Sequence, residues 1–120
     1  IGKIDEIIIK GTIEPSDKVS NLTVSRLEVN QSSNTMYIDL NFILINEVQT
    51  PTVIGKIDDA FAKALNQSKV YMVMSTSFEA EEPFSGFVSF EPKTKSVTLY
   101  PNGLVEKFVT HNVNSVQVSN

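Results

Sequence analysis

Cysteine and tryptophan are absent from this 120-residue chain, and histidine occurs once. Without cysteine there is no disulfide framework, thiol catalysis or thiolate metal site. The single histidine, His111 in Thr-His-Asn, has no identifiable partner for a catalytic triad or a metal site, and we expect it on the surface. Basic residues are few, ten Lys and Arg against fourteen Asp and Glu for a net charge of −4. They are scattered, with no basic stripe interleaved with aromatics, so the footprint that displaces counterions from nucleic acid is lacking. Long apolar runs are lacking too: segments such as Phe42–Ile45 are strand-sized, far short of the roughly 20 residues of a membrane helix. Neither a Gly-rich phosphate loop, a nucleophile elbow nor a metalloprotease motif occurs, and no cofactor or metal is implied. The chain opens at Ile1 without an initiator Met or signal peptide. We therefore expect the C-terminal piece of a longer protein.

What is present is a single β domain over 1–120. Length and a 41% hydrophobic fraction suit one core without disulfide or metal staples. Met36, Ile38, Leu40, Phe42 and Leu44 alternate with Tyr37, Asp39 and Asn41, the period-two pattern of a half-buried strand. Leu22–Val24 and Leu27–Val29 alternate out of phase, which one extra residue near Ser25–Arg26 repairs as a β-bulge. Val70–Met74 reads as a buried strand, Phe84–Phe90 and Val97–Tyr100 as two more, and Val113, Val116 and Val118 as the last. Asn30–Asn34, Glu91–Ser96 and Pro101–Gly103 are polar turns. Asp58–Leu65 is the best helix, about two turns, capped by Asp58 or Asp59 with Phe61 and Leu65 four apart. The first twenty residues form either a stalk or a connecting strand; Ile7 and Ile9 favour the strand, because β-branched side chains are restricted in a helix. Ile-Gly-Lys-Ile-Asp occurs at Ile1 and Ile54, but the flanks match poorly and we read two similar strand ends. The fold class is all-β, an antiparallel β-sandwich or barrel with at most one short helix.

The chemistry is sparse. Glu79, Glu81 and Glu82 could join Asp58 and Asp59 in carboxylate catalysis or cation binding, but a solvated acidic loop and a helix cap explain them without it. Catalysis has no visible seat, so an enzyme is not expected. Ile43, Ile45, Tyr71, Val73 and Phe87 fall on nominally outward faces. Either a helix or loop of the same chain covers them or another subunit does, and we take them as the oligomer or partner interface.

Three segments carry a resemblance: Arg26–Ile38, Val53–Phe61 followed by Ser68–Tyr71, and Phe87–Gly103. In that order they resemble the opening hairpin, the linking segment and the closing hairpin of the β-sandwich appendage domains found in baseplate and receptor-binding proteins of siphophages that infect Gram-positive, including lactic-acid, bacteria. The resemblance covers most of Leu22–Gly103. It implies a homotrimeric virion protein at the extracellular, host-facing end of the tail, in contact with other baseplate proteins and with host cell-wall saccharide where it acts as a receptor-binding head. Phe78, Phe84, Tyr100, Asn102 and His111 are the residues such a head would offer to a sugar. Family sugar sites often use Trp, whose ring stacks on carbohydrate faces, and this chain has none. The chain also has Ala62–Asn66 where the family often places a Pro-containing turn, and nothing matches after Gly103. A structural baseplate domain is therefore expected ahead of a receptor-binding head.

Overall fold

A computed structural model describes residues 7–75 and 83–120, and for residues 115–118 the backbone. Nine strands and one helix follow in the order β1 (Ile8–Lys10), β2 (Ile13–Pro15), β3 (Val19–Asn30), β4 (Thr35–Leu44), β5 (Thr52–Ile57), α1 (Asp59–Ala64), β6 (Lys69–Ser75), β7 (Phe84–Glu91), β8 (Ser96–Pro101) and β9 (Thr110–Ser119). All pair antiparallel in one sheet of order β1-β3-β4-β9-β6-β7-β8-β5-β2. The sheet curls into a half-barrel, so the fold is all-β as expected, and of the two architectures it is the barrel-like one. Its two end strands are consecutive in the chain, joined only by Gly11 and Thr12, and the curl brings the ends of the sheet together there.

Alternation in β4 sets the core. Met36, Ile38, Leu40, Phe42 and Leu44 are all buried, each worth roughly 1.5–3 kcal/mol relative to exposure. The β3–β4 ladder shifts register between Val24 and Arg26, so the extra residue is Ser25 and Leu27 and Val29 return to the inner face. The hairpin between them closes on Asn30, whose side-chain oxygen accepts from the backbone N–H groups of Ser32 and Ser33, and on Asn34 in left-handed conformation (φ 57°).

The helix plugs the seam between the two ends of the sheet. Asp58 caps it twice over, one carboxylate oxygen accepting from the N–H of Phe61 at 3.2 Å and the other from the N–H of Thr12 at 2.8 Å. Phe61 is fully buried and lies against Gly11, where an added Cβ would sit 2.6 Å from its ring. At the other end Asn120 donates to the carbonyl of Ala64, one of the orphan acceptors of a helix C-terminus.

Candidate functional site

The candidate site is the outer face of β6, β7 and β8. Two features of local sequence build it. Val70–Met74 is apolar at every position, so whichever way the strand turns, one set of apolar side chains points outward. On β7 the ladder to β6 shifts between Val73 and Met74, leaving Ser85 as the extra residue. That bulge places Phe84 and Phe87, three apart, against one another edge-on, ring centroids 5.3 Å apart and planes at 76°.

Register assembles the rest. Met72 pairs with Phe87, and Phe87 with Tyr100, in one row across three strands. The neighbouring row runs Val70, Ser89, Thr98 and Val53. Met74 pairs with Phe84. Val70, Met72 and Met74 are 58%, 55% and 37% exposed, and Phe87, Tyr100 and Val53 each about 40%. With aromatic side chains of 150–250 Å² and smaller aliphatic ones, the patch exposes on the order of 500 Å² of apolar surface. No ionisable side chain other than the Tyr100 phenol interrupts these rows. At the margin Glu91 accepts from the hydroxyls of Ser68 and Ser89, which hold its carboxyl below the usual carboxylate range.

The expected interface residues divide. Phe87 is exposed on this face, and Ile45 and half-buried Ile43 lie at the end of β4. Tyr71 and Val73 are corrected: they point inward. Val73 is fully buried, and Tyr71 packs edge-on against Phe90 with its hydroxyl on the sulfur of Met36, burial pushing the phenol up to about 12. The face of β6 is the reverse of the one expected, and Val70, Met72 and Met74 take their place outside. Val53 was not anticipated either; its only signal is an apolar residue at strand spacing beside Ile54.

The expected sugar-binding residues do not form one group. Phe84 and Tyr100 are on the apolar face, Asn102 is exposed in the loop after β8, and Phe78 lies outside the described residues. His111 is corrected from surface to interior: it is 2% exposed. Its ring lies 5.5 Å from Phe42, its Nδ1 is 3.0 Å from the hydroxyl of Ser85, and its Nε2 is 3.0 Å from the carbonyl of Glu106. A carbonyl can only accept, so Nε2 carries the proton and Nδ1 accepts from Ser85. The pair has the order of a nucleophile and base, but with both side chains buried it clamps β7, β9 and the β8–β9 loop together rather than meeting a substrate. Burial lowers the imidazole pKa, against a smaller opposing effect of the Glu106 carbonyl and carboxylate.

Two polar features lie elsewhere. An open cleft of about 590 Å³ between the β2–β3 turn and the β4–β5 loop is lined by Asp17, Asn46, Glu47 and Thr50 among others. The outer face of β3 and β4 carries Arg26 stacked 3.7 Å over the Tyr37 ring and paired with Glu28 at 2.6 Å. Among the described residues no group of three His, Asp or Glu side chains is placed to hold a metal ion, and no helix is long and apolar enough to cross a membrane.

No family model, curated protein or solved structure matches this chain. The apolar face is thus read on its own chemistry.

Proposed function

We propose that this chain is a structural domain of a phage tail baseplate, which trimerises and holds neighbouring baseplate or receptor-binding proteins during host adsorption. The observation that carries the assembly part is the exposed face of Val70, Met72, Met74, Phe87 and Tyr100. A patch of about 500 Å² lies near the upper end of what monomeric proteins expose, and such patches mark interaction surfaces. The baseplate setting rests on the family resemblance. The three segments that carry it lie on β3 and β4, on β5, α1 and the start of β6, and on β7 and β8.

Sedimentation of the purified chain at micromolar concentration tests the reading. We expect a trimer that dissociates on Met72→Lys or Phe87→Lys, both at exposed positions where the monomer fold is retained. A wild-type monomer would rule the trimer out.

A second reading, recognition of a host cell-wall saccharide, is favoured by one observation. Phe84, Phe87 and Tyr100 are neighbouring rings on one face, with exposed Asn102 two residues beyond Tyr100. Binding of purified wall polysaccharide that is lost on Tyr100→Ala, with the oligomer intact, would favour this reading over the scaffold.

A further inference from the structure

The β8–β9 loop presents the most exposed large apolar side chain described, and it does so from a rigid frame. Phe108 is 70% exposed and sits in the left-handed region at φ 60°. Bulky side chains avoid that region, and strain of this kind persists where surrounding contacts over-determine it. The contacts are on hand. The N–H of Asn102 donates to the carbonyl of Ser85, Val105 and Val48 exchange two backbone hydrogen bonds, His111 donates to the carbonyl of Glu106, and the N–H of Phe108 donates to the carbonyl of Leu44. Val105 is buried beneath the loop while Leu104 and Ile45 are exposed beside it. The two other non-glycine residues with positive φ among the described residues, Asn34 and Lys95, close tight hairpin turns between paired strands. Phe108 instead ends a loop pinned at four places, with its ring in solvent.

A closed ring of more than two copies needs two different surfaces on each subunit, since a patch meeting its own copy yields a two-fold dimer. Among the described residues, exposed apolar side chains gather on two separate elements, the sheet face and this knob, with Ile7 and Ile8 a smaller group at the β1 edge. We infer that Phe108, flanked by Leu104 and Ile45, is the knob by which one copy seats head to tail on the β6–β7–β8 face of the next, around Met72 and Phe87.

Size and charge agree with that occupant. The knob adds on the order of 300 Å² of apolar surface, so knob plus face is about 800 Å². At the usual non-polar share of somewhat over half, this corresponds to an interface of about 1,400 Å², within the standard size class. Lys107 lies against the Phe108 ring, with exposed Glu106 beside it, and Glu91 stands at the margin of the sheet face with Lys69 on the neighbouring strand, so each surface carries charges of both signs that a head-to-tail pairing can match. Face-to-face docking would leave Phe108 without an occupant.

The inference rests on the trimer reading, and sedimentation velocity separates their failures. Phe108→Gly and Phe108→Asn both accept φ 60°, so each is expected to abolish the trimer while the thermal midpoint of the monomer stays the same or rises. Met72→Asp with Phe87→Asp is expected to be monomeric alone, yet to form a heterodimer when mixed with Phe108→Gly, because each supplies the surface the other lacks. A trimer that survives both Phe108 variants, or a mixture that stays monomeric while both components are folded by circular dichroism, overturns the inference and leaves the trimer reading standing. A wild-type monomer overturns both.

Discussion

Acidification should destabilise this protein through its one histidine, and the size of the effect can be worked out. In the unfolded chain His111 titrates near the ordinary 6.5. In the folded chain burial against Phe42 disfavours the imidazolium and lowers that value, the Glu106 carbonyl and carboxylate opposing only in part. The folded pKa is therefore the depressed one, and the unfolded state takes up the proton first. The contribution is fully present above about pH 6.5 and is lost as pH falls toward the folded value, at a rate approaching 1.4 kcal/mol per pH unit, the limit for one proton. With an m-value of about 1–3 kcal/mol/M in urea, that limit corresponds to a drop in the midpoint of at most roughly 0.5–1.4 M per pH unit. Asp59 and Glu91, whose carboxyls are held low in the folded state, also lose stabilisation in acid, but only below their ordinary values of 3.8 and 4.5. The span from pH 6.5 down to about 5 therefore belongs to His111. Urea melts at closely spaced pH values, run beside His111→Gln, supply the assay, and the single imidazole can be followed by NMR. Equal slopes for the two proteins across that span, or a folded-state ring titrating at or above 6.5, would refute the reasoning.

Three further outcomes follow from backbone geometry and capping. Gly86→Ala places a Cβ 2.2 Å from the carbonyl oxygen of Tyr100 at φ 134°, and a loss of about 3 kcal/mol or more is expected in thermal or urea melts. Gly103→Ala, with φ 72° but open space around it, should cost only about 1 kcal/mol. Asp58→Ala removes both the helix cap and the partner of the Thr12 N–H, so about 2 kcal/mol should be lost; Asp58→Asn, with one acceptor oxygen in place of two, should recover only about half of it.

Where period and turn chemistry are local, the sequence was legible. The β4 alternation, the Ser25 bulge, the Asn30–Asn34 and Glu91–Ser96 turns and the Asp58 cap each depend on residues within a few positions of one another, and all are found. Three features were not legible, each for a non-local reason. Val70–Met74 has no polar residue to mark its outer face, so its phase is set by pairing with β7 and β9. The Ser85 bulge, which moves Phe84 onto the side of Phe87, arises where β7 meets β6 and leaves no mark beyond Gly86. His111 sits among polar neighbours, and its burial depends on Ser85, 26 residues away, supplying a hydrogen bond inside the core. Its even spacing from Val113 was the signal available, since both point inward.

How such a sheet associates depends on which of its unsatisfied surfaces remain open. A sheet can recruit a partner through the hydrogen-bonding groups of its end strands or through side chains on a face. Here the end strands β1 and β2 are three residues long and continuous through Gly11–Thr12. They carry exposed Lys10 and Glu14, and Pro15, which has no N–H to offer. The ends also meet at the seam occupied by α1, where Thr12 and Asp58 already exchange backbone and side-chain hydrogen bonds. Strand addition is therefore disfavoured at both ends. The uncompensated surface is the one made of side chains: the outer rows of Val70, Met72 and Phe87, and the Phe108 knob held out from the β8–β9 loop. Association through side chains has a consequence that strand addition lacks. In the proposed trimer, single substitutions at exposed positions should therefore dissolve the assembly without touching the ladder, so that assembly and monomer stability are expected to separate.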